Sequence, residues 1–132
     1  MKALLRNTLL ATVLCAPLLA AAESPEGKPI DGKTYTGTIT KSDETQGDPD
    51  DFVFKEGTFI STACQGFGFK PATYTTKQDG KRLQFDAVNE TDNGVHKHWK
   101  GFIQGEHLEA TADWLRPGQP TVQFHAQAAL KH

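Results

Sequence analysis

From Thr34 onward the chain alternates. Tyr35, Gly37 and Ile39 are interleaved with Thr34, Thr36, Thr38 and Thr40, a period of two rich in β-branched residues that fits a half-buried strand. The period returns at Phe52 and Phe54, through residues 58–63, and through the Thr-rich residues 72–76. It returns again at Leu83, Phe85 and Ala87. Val95, Trp99, Gly101 and Ile103 then stand against His96, His98, Lys100 and Phe102. Leu108, Ala110, Ala112 and Trp114 form the next apolar face, and Val122, Phe124 and Ala126 the last. Beyond residue 22 no segment shows the 3.6-residue apolar period of an amphipathic helix.

Turn signals separate these runs. Glu56-Gly57, Asp79-Gly80, Asn93-Gly94, Gln104-Gly105-Glu106 and Pro117-Gly118 fall between them, and Asp-Gly and Asn-Gly are strong two-residue hairpin signals. Residues 41–51 read as an acidic loop, residues 65–69 as a glycine–aromatic bend, and residues 130–132 as a tail. The expectation is an all-β domain of about eight antiparallel strands in an up-and-down meander. It is a small closed or partly open barrel, with a β-sandwich as the runner-up. Closure demands small residues at crowded inner positions, and Gly37, Gly101 and Ala112 are placed to supply them.

The first residues follow another pattern. Lys2 and Arg6 precede an apolar run from Leu9 to Leu19, which ends in Ala20-Ala21-Ala22 and turns polar at Glu23. This is the layout of a cleavable secretory signal. Pro17 interrupts a run already short for a membrane span. The expected organisation is a signal peptide over 1–22, a flexible lead over 23–32 and one β domain over 33–132. The expected location is the periplasm of a Gram-negative bacterium or the exterior.

Removing residues 1–22 from the 132 leaves 110, enough for one core. Lys2 and Arg6 leave with the signal, so 12 basic side chains face 16 acidic ones, a net charge of −4. An acidic domain without a basic cluster argues against nucleic-acid partners, and no stretch after Ala22 is apolar enough to span a membrane. Loss of Cys15 leaves Cys64 as the single cysteine, which rules out an internal disulfide. Cys64 is a buried small hydrophobe, an intermolecular disulfide partner or a reactive thiol; no His or Lys adjoins it in sequence.

A spaced pattern runs through most of this domain. It reads Asp48-Pro49-Asp50, Phe52-x-Phe54, Gly57-x-Phe59-x-Ser61-x-x-Cys64 and Gly68-Phe69, then Tyr74, Phe85, Trp99-x-Gly101-x-Ile103-x-Gly105 and Trp114. In this the chain resembles an uncharacterised family of small exported bacterial β proteins, a likeness that implies export and a compact β domain and brings no activity or cofactor. The meander also resembles lipocalin and calycin barrels in architecture alone. Gly37-Thr38-Ile39 stands where a lipocalin carries Gly-x-Trp, and fold does not set function.

The candidate chemistry is sparse. Phe52, Phe54, Phe59, Phe85, Trp99 and Trp114 are the expected inward aromatics, either lining a ligand cavity or filling the core. His96 and His98, two apart on one strand, project from one face and can share a metal, with His107 past the next turn as third ligand. The competing reading makes them ordinary solvent-side residues. Five carboxylates between Asp43 and Asp51 lack the calcium-loop pattern, and no phosphate loop, nucleophile elbow or zinc-protease motif is present. The favoured reading is a non-enzymatic exported module, binding a small apolar ligand or an envelope protein. The alternatives are a periplasmic metal-binding protein using His96 and His98, and an enzyme or envelope interaction protein centred on Cys64. No cofactor is nominated.

Overall fold

The structure, a computed structural model, describes residues 29–132. The signal-like segment and most of the expected lead lie outside the described residues. Eight antiparallel strands close into a barrel in simple sequence order. They are β1 (Thr34–Lys41), β2 (Asp48–Lys55), β3 (Thr58–Ser61), β4 (Ala72–Asp79), β5 (Arg82–Glu90), β6 (His96–Gln104), β7 (His107–Leu115) and β8 (Val122–Leu130). A four-residue helix, α1 (Thr62–Gln65), interrupts the meander between β3 and β4. Closure is made by β1 against β8, with Tyr35 opposite Leu130 and Lys41 opposite Phe124. A sandwich would leave these strands on separate sheets. Among the described residues no helix is long and apolar enough to cross a membrane.

The turn signals fall where the chain reverses. Lys55 pairs with Thr58 across Glu56-Gly57, both at positive φ (53° and 78°). This is the mirror-image turn whose twist matches the strands it joins. Asp79 pairs with Arg82 across Gly80-Lys81.

Three boundaries depart from the sequence reading. The acidic loop ends early, because β2 begins at Asp48 and pairs Asp50 with Gly37. Strand β3 ends at Ser61 instead of running to Ala63, because Ser61 caps α1. The expected tail begins one residue late, with Leu130 still in β8. The first two changes share one cause. Asp50 is buried, and its carboxylate accepts hydrogen bonds from Ser61 Oγ, from Thr62 Oγ1 at 3.1 Å and from Ala63 N at 2.9 Å. A carboxylate satisfying the first turn of a helix favours helix over strand there.

The barrel has two unlike ends. At one, residues 29–33 tuck under the strands. Ile30 is buried, Gly32 N donates to Phe54 O at 2.7 Å, and Phe54 N donates to Lys33 O at 2.9 Å. Asp31 Oδ1 accepts from Tyr74 Oη and from Gly57 N, each at 2.9 Å. So the described end of the expected lead is packed. The opposite end carries the β1–β2, β5–β6 and β7–β8 connections and α1.

Tyr35 and Tyr74 are the two tyrosines of the chain, and both are buried in the barrel. Both hydroxyls are pushed above the ordinary tyrosine value of 10.0. For Tyr74 the cause is burial first, then the hydrogen bond to Asp31 and its negative charge; for Tyr35 it is burial first, then the charge of Glu106. The native barrel therefore keeps protons that the unfolded chain releases. Their contribution to stability is whole below pH 10 and is lost as pH rises through the folded values. In an alkaline titration, phenolate absorbance and loss of near-ultraviolet dichroism are expected to appear together, above about pH 10. Phenolate forming at ordinary pH with dichroism intact would contradict the packing of both rings.

Candidate functional site

Inward residues stack in layers along the barrel. The central layers are aromatic. Phe52, Phe54, Phe59, Phe85 and Trp99 are all buried, and each has a ring centroid 4.9–5.8 Å from another of the set. Five of the six nominated lining residues are thus one contiguous cluster. Trp114, the sixth, is half-buried and stands at the α1 end, 6.2 Å from Phe124 and 6.5 Å from Phe67. One depression lies on an outer strand face, lined by Thr75, Gln84, Asp86, Lys100 and Phe102, and another lies among the connections at the α1 end, lined by Gly94, His96, Arg116 and Pro117.

The layer beneath α1 is polar. The four buried polar or charged residues among those described are Asp50, Ser61, Asn89 and Lys97, and all sit at this end. Register brings them together: Lys97 lies opposite Asn89 on β5 and opposite Trp114 on β7. Asn89 Nδ2 donates to Phe59 O at 3.0 Å and to Lys70 O at 2.8 Å, tying β5 to β3 and to the chain leaving α1. Its Oδ1 finds no partner among the described residues, nor do Trp99 Nε1 and Trp114 Nε1.

Lys97 is the centre of this layer. It is 5% exposed, and its ammonium forms no ion pair with a carboxylate among the described residues. Its Nζ donates to Cys64 Sγ at 3.2 Å. It lies 4.0 Å from the ring centroid of Phe124, and 5.6, 5.7 and 5.8 Å from those of Trp114, Phe69 and Trp99. Four aromatic rings lie within cation–π range, and a ring face turned to a cation stabilises it by about 2 kcal/mol in a well-desolvated contact. That offsets only part of the several kcal/mol lost in desolvating an ammonium.

Sequence reasoning passed over Lys97. It occupies the inward position between Val95 and Trp99, and the parity of β6 was the signal that marks it. Cys64 is buried and reduced, as one of its readings expects, but the absence of a neighbouring cation does not hold in space. Residue 97 is 33 positions away in the chain and the strand pairing delivers it to the thiol.

The histidines are placed differently. His96 and His98 share the outer face of β6, where His98 Nε2 lies 3.0 Å from Asp86 and His96 Nε2 lies 3.5 Å from Glu90. His107 pairs with Gln104 at the far end of the same strand, about 26 Å from His96 at the usual rise per residue. It does not approach the pair. Among the described residues no group of three or more His, Cys, Asp or Glu side chains is arranged to hold a metal ion.

Above the polar layer one large apolar side chain is exposed among polar connections. Phe67, 73% exposed, follows α1 and has its ring 6.5 Å from that of Trp114. Arg116 lies over the Trp114 ring at 4.4 Å. No family model matches the chain, and no curated protein or solved structure matches it either.

Proposed function

We propose that this chain is an exported, non-enzymatic binding module whose α1 end takes a small aromatic carboxylate. The observation that carries the reading is Lys97: a buried ammonium, boxed by four rings, without a carboxylate to neutralise it among the described residues. Buried charges in proteins are ordinarily paired. A ligand with one negative head would supply the counter-charge, and its ring would stack on Trp114, Phe124 and Phe67. Trp114 Nε1 is a further donor with no protein partner. The packed aromatic core below limits the depth of the site, which favours a compact ring over a long acyl chain. Entry is past α1 and the residues following it. Export is supported by the tripartite pattern of residues 1–22.

Both tryptophans of the chain border the box, so their fluorescence reports on it. Titration with phenylacetate is expected to give a saturable change, with benzyl alcohol at least about tenfold weaker because it lacks the charge. Equal affinity for the two, or no saturable change with either, rejects the reading.

A further inference from the structure

The Lys97–Cys64 contact has a chemistry of its own, independent of any carboxylate ligand. Cys64 and Lys97 are each buried, the sulfur and nitrogen stand 3.2 Å apart, and among the described residues the nitrogen has no other hydrogen-bond partner. The two groups come from different parts of the barrel: Cys64 from α1, whose first turn is pinned by Asp50, and Lys97 from the middle of the β5–β6–β7 ladder. Neither is free to swing away. Ordered proximity of two nucleophiles converts a reaction between them into an intramolecular one.

We propose that Cys64 and Lys97 form an oxidative modification site, in which a hydroperoxide joins Sγ to Nζ through a single oxygen atom. The Cys64 sulfur attacks one hydrogen peroxide molecule; an S–O bond forms, the O–O bond breaks, water leaves, and sulfur is oxidised by two electrons to the sulfenic acid. Lys97, having released its ammonium proton to water, attacks a second peroxide in the same way and becomes the hydroxylamine, again with loss of one water. The hydroxylamine oxygen then attacks the sulfenic sulfur, the S–OH bond breaks, and the hydroxyl leaves with the hydroxylamine proton as a third water. Two peroxides are reduced, and the product is an S–O–N bridge. A one-atom bridge fits a pair already at hydrogen-bond separation with less movement than a direct S–N bond would demand.

Three features favour this course over the ordinary fate of an oxidised thiol. The chain has no second cysteine among the described residues to resolve a sulfenic acid as a disulfide. Burial keeps out a second protein's thiol. The Lys97 nitrogen stands within hydrogen-bond distance of the sulfur. The bridge would staple α1 to β6, closing the end of the barrel that local opening otherwise exposes.

The test is intact-mass spectrometry of the folded protein after exposure to hydrogen peroxide, followed by tryptic mapping. The expected result is a gain of about 14 Da per chain, loss of the thiol titre after unfolding, no cleavage after Lys97, and a peptide joining Cys64 to Lys97. Excess dithiol should reverse all four: one dithiol splits the S–O bond to the thiol and the hydroxylamine, and a second reduces the hydroxylamine to the amine with loss of water. Lys97→Arg keeps a cation at the site without a transferable amine and is expected to lose the bridge while its thiol is still consumed. A Cys64 sulfinic acid with Lys97 still cleavable by trypsin, a direct S–N link lacking the oxygen, or a thiol that survives peroxide sufficient to oxidise the unfolded chain would each overturn the proposal. None of these outcomes bears on phenylacetate binding by the reduced protein, so the two readings fail separately.

Discussion

Gly37→Ala is expected to destabilise the barrel by about 3 kcal/mol, a large share of the stability of a small domain. Gly37 lies where β1 crosses β8, opposite Ala128, and β2 pairs with it from the other side at Asp50. A methyl group there would overlap the Gln127 carbonyl oxygen and would stand 2.5 Å from Ala128 Cα and 2.8 Å from Ala128 Cβ. Backbone atoms of a paired strand cannot rotate aside as a long side chain can. The strain must be relieved by parting β1 from β8, which is the seam that closes the barrel and removes its two exposed edges. Urea unfolding should show a lower midpoint, and hydrogen exchange in the folded remainder should rise first in β1 and β8. An unchanged midpoint would mean that the seam is not as tight as described. Gly101 has a similar task on β6, where an added methyl would meet Glu109 O at 2.5 Å, Ala110 Cβ at 2.6 Å and Phe85 Cε1 at 2.7 Å.

Phe54→Ala is expected to cost about 3–5 kcal/mol, the range for emptying a buried aromatic site. Phe54 is the hub of the core. Its ring centroid is 4.9 Å from Phe59, 5.0 Å from Tyr74, 5.1 Å from Phe85 and 6.0 Å from Tyr35, three of these in edge-to-face arrangement. Those four neighbours sit on β1, β3, β4 and β5, so no single strand can shift to fill the space. Phe54→Leu keeps most of the volume and should lose clearly less. Denaturant melts of both variants check this. A Phe54→Ala loss below that of Phe54→Leu would show that the ring is not the packing centre.

Much of this fold is readable from local chemistry. Alternation at Tyr35-x-Gly37-x-Ile39 and at Leu108-x-Ala110-x-Ala112 marks strands, because a barrel buries every second side chain. Gly57, Gly80 and Gly94 mark reversals because the turns there need positive φ. Even the crowded positions Gly37 and Gly101 are legible as gaps in an otherwise bulky face. What local pattern does not carry is decided by partners far along the chain. Asp50 looks like one more loop acid until Ser61, Thr62 and Ala63 are brought to it. That meeting starts β2 early and turns residues 62–65 into a helix. Closure itself depends on β1 finding β8, about 90 residues later, and no local signal reports it.

The site shows the same division. Parity alone assigns Lys97 to the inside of β6, and only its charge disguises it. That Cys64, Phe69, Trp114 and Phe124 surround it is a consequence of strand register and of α1 folding over the barrel end. The histidines behave oppositely. Their shared face was legible, but the carboxylates beside His96 and His98, and the distance to His107, required the ladder pairings.

Lys97 is the residue on which structure and proposed function make opposite demands, so its replacement is decisive. Lys97→Met keeps the length and apolar stem and removes the cost of burying the charge, a gain on the scale of the about 1–4 kcal/mol often seen when a buried ion pair gives way to hydrophobes of similar volume. A residue retained at a cost in stability points to use in binding. The measurement is the thermal midpoint of wild type and Lys97→Met, each with and without saturating phenylacetate. A higher midpoint for Lys97→Met alone, with phenylacetate raising the wild-type midpoint and leaving that of the variant unmoved, is the expected result. A lower midpoint for the variant, or an equal ligand-induced rise in both proteins, would contradict it and make Lys97 a structural residue.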